Sequence, residues 1–195
     1  MDSSHVMPRY DDAVQRSEGE AVPSDAASSF RDEVTKLFNG HFSRLYRFLN
    51  RLTADTELAA DLAQETFVKL YRRGALPDAP EAWLITVAMN LLRNVQSGRV
   101  RRRRLLTVTR GERAHSDRPP LPDDAVESAD VRRRVRRVLD SLPERDRHLL
   151  LLRAEGYSYR DIARSLEINE GSVGVLLARA KRAFRESYED AFDAP

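Results

Sequence analysis

The sequence predicts an all-α protein built from two small helical domains joined by a flexible linker. Two regions of the chain repeat apolar residues at steps of three and four, which is the period of an amphipathic helix. The segment between them, 105–130, contains three prolines among polar residues and has no such period beyond Leu106. At 195 residues, the chain is long enough for two small domains.

We expect five segments along the chain. Residues 1–29 are rich in Ser, Asp and Ala, and this composition predicts a disordered acidic tail. The first helical domain spans 30–104, the linker spans 105–130 and the second helical domain spans 131–190. Residues 191–195 form a short C-terminal tail.

Three helices are predicted in the first domain. The first helix runs from Phe30 to Leu52, and the second runs from about Glu57 to Arg73. Asp55 or Thr56 is the expected N-cap of the second helix. Two prolines precede the third helix, which is expected at about 81–96.

The second helix has an acidic face in a domain that is otherwise basic. Asp61, Gln64 and Glu65 stand at positions i, i+3 and i+4, so they share one side of the helix. Residues 30–104 carry 14 basic and 8 acidic side chains. The spacing by itself favours an ordinary solvated helix surface.

The third helix leads into a run of arginines. Six of them lie within twelve residues without an acidic neighbour: Arg93, Arg99, Arg101, Arg102, Arg103 and Arg104. Guanidinium groups so close together repel each other unless phosphates or counterions are near, so we expect them to bind backbone phosphates. Trp83 fits the apolar core of the domain, and its closeness to the arginines also leaves base stacking open.

The second domain is predicted to contain a helix-turn-helix motif. Ser141 opens the capping-box pattern S-x-x-E, and Gly156 is placed to end the helix that follows. Ser158 starts a short helix, and Asn169 is the expected N-cap of the last helix. The small Ala163 lets these two helices cross closely, so that the last one can enter a DNA major groove. A plain helical hairpin is the alternative.

The last helix is predicted to be amphipathic. Its core side consists of Val173, Leu177, Ala180 and Phe184. Its exposed side consists of Ser172, Val175, Arg179 and Arg182.

Other function classes find little support in the sequence. The absence of cysteine excludes disulfides, thiolate metal sites and a cysteine nucleophile. The four histidines have no metal-ligand spacing, and there is neither a glycine-rich phosphate loop nor a G-x-S-x-G motif. We therefore expect no catalytic residue, no metal and no cofactor. The longest apolar stretch is too short for a membrane helix and the N-terminus lacks a secretory-signal pattern, so we expect a soluble, cytoplasmic protein.

Three motifs, in this order, resemble those of the bacterial extracytoplasmic-function (ECF) sigma factors, the smallest members of the sigma-70 family. Residues 61–67, DLAQETF, resemble the D-L-x-Q-E-x-F helix of that family. Residues 82–90, AWLITVAMN, are similar to its A-W-L…A-R-N helix. Residues 142–163 resemble its L-P…L-L-R…G-x-S-Y-x-E-I-A pattern. The resemblance covers about 30–104 and 131–188.

This resemblance implies a sigma factor that binds core RNA polymerase and directs promoter recognition and transcription initiation. Asp61, Gln64 and Glu65 would bind the clamp helices of the largest polymerase subunit, which replaces the interpretation as a solvated surface. The minus-ten promoter element would be bound by Trp83, Asn90, Arg93, Arg99, Arg101, Arg102 and Arg103. The minus-thirty-five element would be bound by Ser172, Val175, Arg179, Lys181 and Arg182. A sigma factor would associate with the nucleoid, and an anti-sigma factor is a further expected partner.

The last helix departs from the family pattern. The frequent T-V-K-S-R-L becomes SVGVLL at residues 172–177, so glycine and aliphatic residues replace polar and basic ones. We therefore expect weak base readout there, with Arg179, Lys181 and Arg182 contacting phosphates. Two other functions stay open: a sigma-like mimic that binds an anti-sigma factor, and an ordinary helix-turn-helix transcriptional regulator.

Overall fold

The computed structural model describes residues 24–106 and 125–192, and these two ranges form helices and turns without any strand. The helices are α1 (Ser24–Thr53), α2 (Thr56–Arg73), α3 (Pro80–Leu106), α4 (Ala125–Ser141), α5 (Glu144–Ala154), α6 (Tyr159–Ser165) and α7 (Glu170–Phe192). The predicted all-α class is confirmed. Most of the predicted tail and linker, 1–23 and 107–124, lies outside the described residues, as do 193–195.

The first domain consists of α1, α2 and α3 around a core of large apolar side chains. Fully or almost fully buried members include Leu45, Phe48, Leu49, Phe67, Leu70 and Ile85. Only two residues separate α1 from α2, so these helices form a hairpin. The second of the two, Asp55, is the N-cap of α2, because its Oδ1 accepts a 2.9 Å hydrogen bond from the backbone N of Leu58.

Three helices are longer than the sequence patterns predicted. Helix α1 starts at Ser24 instead of Phe30, and α4 starts at Ala125 instead of Val131. Helix α3 continues past its expected end at Gln96, through Gly98 and the arginine run, to Leu106. A single glycine inside a helix costs only about 1 kcal/mol, and arginine is a good helix former, so Gly98 does not end α3.

The second domain contains the predicted helix-turn-helix motif, formed by α6 and α7. Gly156 ends α5 in the left-handed conformation, with φ of 84°, and the backbone N of Tyr157 reaches the carbonyl oxygen of Leu152. Ser158 caps α6 through a hydrogen bond from the backbone N of Asp161. These contacts confirm the predicted end of α5 and the predicted start of α6.

The turn of this motif also agrees with the prediction. Asn169 precedes α7, and its Oδ1 accepts a 2.8 Å hydrogen bond from the backbone N of Gly171. Ala163 on α6 is buried, and α6 packs against α7. The small side chain at this position permits the close crossing that the motif needs.

The predicted capping box at Ser141 is wrong. Ser141 is still part of α4, and its hydroxyl group donates a 2.8 Å hydrogen bond back to the carbonyl oxygen of Val138. The N-cap of α5 is Pro143, which makes no capping hydrogen bond through its side chain. A serine in the last turn of a helix has a carbonyl group of its own helix within reach, and here that contact excludes the capping role.

The two domains pack against each other, which the sequence analysis did not predict. Helix α1 contacts α5, helix α3 contacts α6, and apolar side chains of both domains form one continuous core. The rings of Phe48 and His148 meet edge to face across this boundary, with centroids 6.4 Å apart. The guanidinium of Arg44 lies 4.4 Å from the ring centroid of Tyr157.

Arg136 of α4 strengthens this contact by capping the C-terminal end of α1. Its guanidinium donates hydrogen bonds to the carbonyl oxygens of Arg51, at 2.8 Å, and Leu52, at 3.2 Å. The last carbonyl groups of a helix have no partner within the helix and lie at the negative end of its dipole. A cation from the second domain therefore satisfies backbone groups of the first.

Candidate functional site

The acidic face predicted on α2 is accessible. Asp61 and Gln64 are exposed, and Glu65 is half-buried beside them. Within the described part of the chain, neither Asp61 nor Glu65 forms an ion pair with a basic side chain. The structure therefore brings these three polar groups together on one side of α2, with both carboxylates available to a basic partner.

Two exposed apolar residues continue this face toward the C-terminal end of α2, and the sequence analysis missed them. Val68 is 38% exposed and Tyr71 is 49% exposed. They follow Gln64 at steps of four and three, so they lie on the same side of the helix. On neighbouring α1, the exposed ring of Phe38 packs edge to face against Phe67. The sequence did contain a signal for Val68 and Tyr71, because both are apolar but lie outside the apolar periodicity of α2.

The residues predicted to bind the minus-ten element lie along α3. Trp83 is half-buried at the edge of the core, and the guanidinium carbon of Arg73 lies 6.0 Å from its ring centroid. Asn90 is half-buried, and its Oδ1 accepts a 2.8 Å hydrogen bond from Nη1 of the exposed Arg93. The structure thus brings Asn90 and Arg93 into direct contact, seven or more positions along the helix from Trp83.

The arginine run belongs to the last turns of the same helix. The backbone of α3 extends through Arg99, Arg101, Arg102 and Arg103 to Leu106. These positions therefore follow Asn90 and Arg93 along the axis of one continuous helix, which rises about 1.5 Å per residue.

Helix α7 has the two sides that its sequence predicts. Its core side is buried at Val173, Leu177 and Ala180, each at 3% exposure or less, whereas Phe184, which was predicted with them, is only half-buried. Its outer side is exposed and consists of Ser172, Val175, Arg179 and Arg182. The separation of an apolar side from an exposed side is therefore confirmed.

Lys181 is the one predicted α7 residue that the structure does not place with the others. It is six positions after Val175, so it lies about a third of a turn around the helix axis from the outer face. There it lines an apolar groove of about 1220 Å³ between α1, α4, α5 and α7, together with Phe184 and Tyr188. The sequence analysis chose Lys181 for its charge and did not take its angular position into account.

The described residues contain no cluster of side chains that could bind a catalytic metal ion. No group of three or more His, Asp or Glu side chains lies close enough together in ranges 24–106 and 125–192 to hold a metal ion. None of the helices in these ranges is both long and apolar enough to cross a membrane.

Comparisons with known proteins decide the family. The model of sigma-70 region 2 matches residues 37–105, and the model of sigma-70 region 4 matches residues 132–184. The chain is 32% identical to the RNA polymerase sigma-H factor of Pseudomonas aeruginosa over 152 residues, which covers 71% of this chain and 77% of that protein. The chain belongs to the ECF sigma factors of the sigma-70 family. The region 2 match covers the second half of α1, all of α2 and nearly all of α3, and the region 4 match runs from within α4 to beyond the middle of α7.

Other relatives of this sigma factor have similar names. It is 28% identical to the ECF RNA polymerase sigma factor SigE of Mycolicibacterium smegmatis over 170 residues, or 86% of this chain, and it spans 65% of that longer relative. It is 28% identical to the RNA polymerase sigma factor CarQ of Myxococcus xanthus over 160 residues, which covers 80% of this chain and 89% of CarQ.

Two solved structures share the fold of this sigma factor. One is the sigma factor RpoE of Bartonella quintana in complex with the anti-sigma factor NepR, with a TM-score of 0.57 and 20% identity, covering 83% of this chain and 98% of that one. The other is CnrH in complex with the cytosolic domain of CnrY, with a TM-score of 0.59 and 21% identity, covering 87% of this chain and 95% of that one.

Proposed function

We propose that this ECF sigma factor binds core RNA polymerase through α2 and directs it to promoters through α3 and α7. The observation that supports this proposal most strongly is the acidic face of α2, where neither Asp61 nor Glu65 has an ion-pair partner among the described residues, in a chain whose helix α3 carries six arginines. A protein that only binds DNA would gain nothing from unpaired carboxylates on that surface, because they repel phosphates.

The polymerase contact is proposed to involve Asp61, Gln64 and Glu65, which would bind the clamp helices of the largest subunit. Unpaired carboxylates and an exposed amide suit a surface that presents basic and polar side chains. The exposed Val68 and Tyr71 on the same side of α2 add the apolar area that interfaces between proteins bury at their centre. We propose that these two residues extend the polymerase-binding surface.

The minus-ten contact is proposed to lie along α3. Arg93, Arg99, Arg101, Arg102 and Arg103 would bind phosphates of a single strand, and Trp83 would offer a ring face on which a base can stack. Asn90 is oriented by its hydrogen bond with Arg93, which leaves its amide group to contact a base edge. A basic helix with one aromatic residue is the combination that single-strand binding requires.

The minus-thirty-five contact is proposed to lie on the outer face of α7. In a helix-turn-helix protein the second helix enters the major groove, and here α7 presents Ser172, Val175, Arg179 and Arg182 on its exposed side. We propose that Arg179 and Arg182 bind phosphates. Lys181, which faces the groove between the domains, would contribute charge at a longer distance.

The protein would carry out no chemistry itself, since the polymerase makes the RNA and the sigma factor selects the start site. Binding to promoters would place it at the nucleoid. Both similar structures are complexes, one with the anti-sigma factor NepR and the other with the cytosolic domain of CnrY. We propose that an anti-sigma factor also binds this chain.

Transcription in vitro tests this function. The full chain is mixed with core RNA polymerase and a library of promoter fragments, and the transcripts are sequenced. We expect initiation from a shared pair of sequence elements that depends on the added chain. Binding to the polymerase without initiation would indicate the sigma-like mimic instead. Binding to duplex DNA in the absence of polymerase, without initiation, would indicate an ordinary regulator.

A further inference from the structure

The outer face of α7 is unusually poor in hydrogen-bonding side chains. Over residues 170–179, the exposed positions are Glu170, Gly171, Ser172, Val175, Ala178 and Arg179. Only Ser172 and Arg179 can donate a hydrogen bond from a side chain. At its centre stands Val175, which at 65% has the largest exposure among the large apolar residues of the described chain.

The apolar surface at Val175 is extended by a second residue of the motif. Tyr159, the first residue of α6, is 43% exposed, and its ring packs against α7 beside Gly174. A methyl group built at Gly174 would lie 3.7 Å from Cε2 of this ring. The guanidinium carbon of Arg153 lies 5.6 Å from the ring centroid and helps to hold the ring in place. The motif thus presents a small, ordered apolar patch.

Cations surround this patch on the same surface of the second domain. The side chain of Arg160 on α6 is 68% exposed and lies 3.8 Å from the carboxylate of Glu170, and that of Arg182 on α7 is 71% exposed and lies 3.7 Å from the carboxylate of Glu186. Both pairs are exposed, so water and salt screen them and each guanidinium can still contact a phosphate. Arg179 lies one turn after Val175 on the outer face. An apolar centre with cations around it matches the edge of a base pair that carries a hydrophobic group and is flanked by phosphates.

We propose that Val175 recognises the C5 methyl group of a thymine in the upstream promoter element. This inference rests on the proposed function, in which α7 enters the major groove. Thymine is the one base that presents a methyl group there, whereas cytosine, adenine and guanine present only polar edges or a bare ring carbon. The two methyl groups of Val175 gain contact area with thymine, and they would leave the polar groups of any other base without a hydrogen bond.

This assignment changes the expected readout of α7. The sequence departs from its family by exchanging polar groups for aliphatic ones, and that exchange would weaken readout only if hydrogen bonds were the sole means of recognition. Contact with a methyl group is the alternative means that an aliphatic side chain offers. The upstream element should therefore contain a required thymine next to a position read by Ser172.

The experiment uses the full chain bound to core RNA polymerase. A promoter is first selected from a library of fragments whose upstream region is randomised. The selected duplex is then synthesised with each upstream thymine replaced, one at a time, by deoxyuridine, which lacks the methyl group and keeps every hydrogen-bonding group. Complex formation is measured with wild type, with Val175→Ala and with Val131→Ala. The last is a matched control, because Val131 is 47% exposed on α4 and lies off the outer face of α7.

We expect one deoxyuridine position to weaken binding of wild type and of Val131→Ala about fourfold, which corresponds to the loss of one buried methyl group. Val175→Ala should bind the thymine and deoxyuridine duplexes equally. The inference is overturned if the selected upstream element lacks thymine, or if Val175→Ala keeps the full preference for thymine. If replacing the whole upstream element leaves binding unchanged, α7 does not read DNA, and that part of the proposed function fails as well.

Discussion

The buried carboxylate of Glu155 in the second domain accepts a 2.8 Å hydrogen bond from Nε of Arg47 in the first domain. Its other oxygen, Oε1, lies 3.2 Å from Nε of Arg51, one turn further along α1. The side chain of Glu155 is only 2% exposed, whereas about half of each arginine side chain stays in water. One carboxylate at the end of α5 is thus held by two cations of α1, and this contact joins the domains.

The first prediction concerns the charge of Glu155. Glu155→Gln keeps the shape of the side chain but removes the charge that Arg47 and Arg51 neutralise. Because both arginines remain half solvated, the loss should be smaller than for a fully buried ion pair, about 1–2 kcal/mol in the free energy of unfolding. Urea unfolding of the full chain measures it.

The matched control for this change is Glu186→Gln, since Glu186 forms an exposed pair with Arg182 within α7. We expect that control to cost less than about 0.5 kcal/mol. Because the chain contains no cysteine, one cysteine can be introduced into each domain for fluorescent labels. Glu155→Gln should increase the mean distance between the labels. Equal stability and equal distance in the two variants would show that the ion pairs do not hold the domains together.

Local structure could be predicted from the sequence because its causes lie close together in the chain. The apolar periodicity located all the helices of the two domains, and the cap residues Asp55, Ser158 and Asn169 act within three residues of their partners. The outer side of α7 followed from the same periodicity. The polar face of α2 could also be recognised, since Asp61 and Glu65 lie four positions apart and away from the apolar positions of the helix.

The contact between the domains could not be predicted in this way. Arg47 and Glu155 are 108 positions apart, and nothing in the residues near Glu155 distinguishes it from an exposed glutamate at the end of a helix. The predicted capping box at Ser141 was wrong for a related reason. The same hydroxyl group can cap the next helix or donate a hydrogen bond to a carbonyl group of its own helix. Which contact forms depends on where α4 ends, and the S-x-x-E pattern does not contain that information.

The second prediction is a loss of stability in acid that depends on His148. This histidine of α5 is buried against Phe48, and burial lowers its pKa from 6.5 to about 4. The carboxylate of Glu144 opposes this shift, while the cations of Arg147 and Arg93 add to it. Folding therefore favours the neutral ring.

Because its pKa is lower in the folded state, His148 takes up a proton more readily in the unfolded chain. Its contribution to stability is complete above pH 6.5 and is lost as the pH falls from about 6.5 to 4, by about 3 kcal/mol in total. Urea unfolding at several pH values should show this slope in wild type. In His148→Gln the slope over the same range should be shallower, whatever the stability of that variant at pH 7. An unchanged slope would contradict the assignment.

The third prediction is that Glu167→Gly stabilises the turn between α6 and α7. Glu167 adopts the left-handed conformation, with φ of 55°, and this lets the backbone N of Ile168 reach the carbonyl oxygen of Ala163. That conformation crowds any side chain with a Cβ atom, and glycine has none. Glu167→Gly should therefore raise the free energy of unfolding by about 1 kcal/mol. Glu167→Ala is the control, because it removes the charge and keeps Cβ; an equal gain in both variants would assign the effect to charge.

The fourth prediction is that Gly174→Ala also stabilises the protein. Gly174 lies inside α7, where alanine is favoured over glycine by about 1 kcal/mol. The added methyl group would lie 3.7 Å from Cε2 of Tyr159, an ordinary contact distance. Gly40→Ala in α1 is the reference, since a methyl group there meets no neighbouring atom within 4 Å. Thermal unfolding should show similar gains, and a loss for Gly174→Ala alone would mean that the Tyr159 ring cannot accommodate the methyl group.

The fifth prediction tests the acidic face of α2. Reversing two charges, with Asp61→Lys and Glu65→Lys together, should weaken binding to core RNA polymerase at least a hundredfold, because two attractive pairs become repulsive. The fold should persist, since Asp61 is exposed and neither carboxylate has an ion-pair partner among the described residues. Fluorescence anisotropy of the labelled full chain with core polymerase measures the affinity.

The matched control reverses two exposed charges on α1, with Asp32→Lys and Glu33→Lys, and it changes the net charge by the same amount. This control separates a local contact from a general attraction, because a general attraction to the polymerase would respond equally to both double variants. A local contact predicts near-normal affinity for the α1 variant, and circular dichroism of both variants establishes that the helices are intact. Normal binding by Asp61→Lys with Glu65→Lys would move the polymerase contact away from α2 and leave its acidic face as a solvated surface.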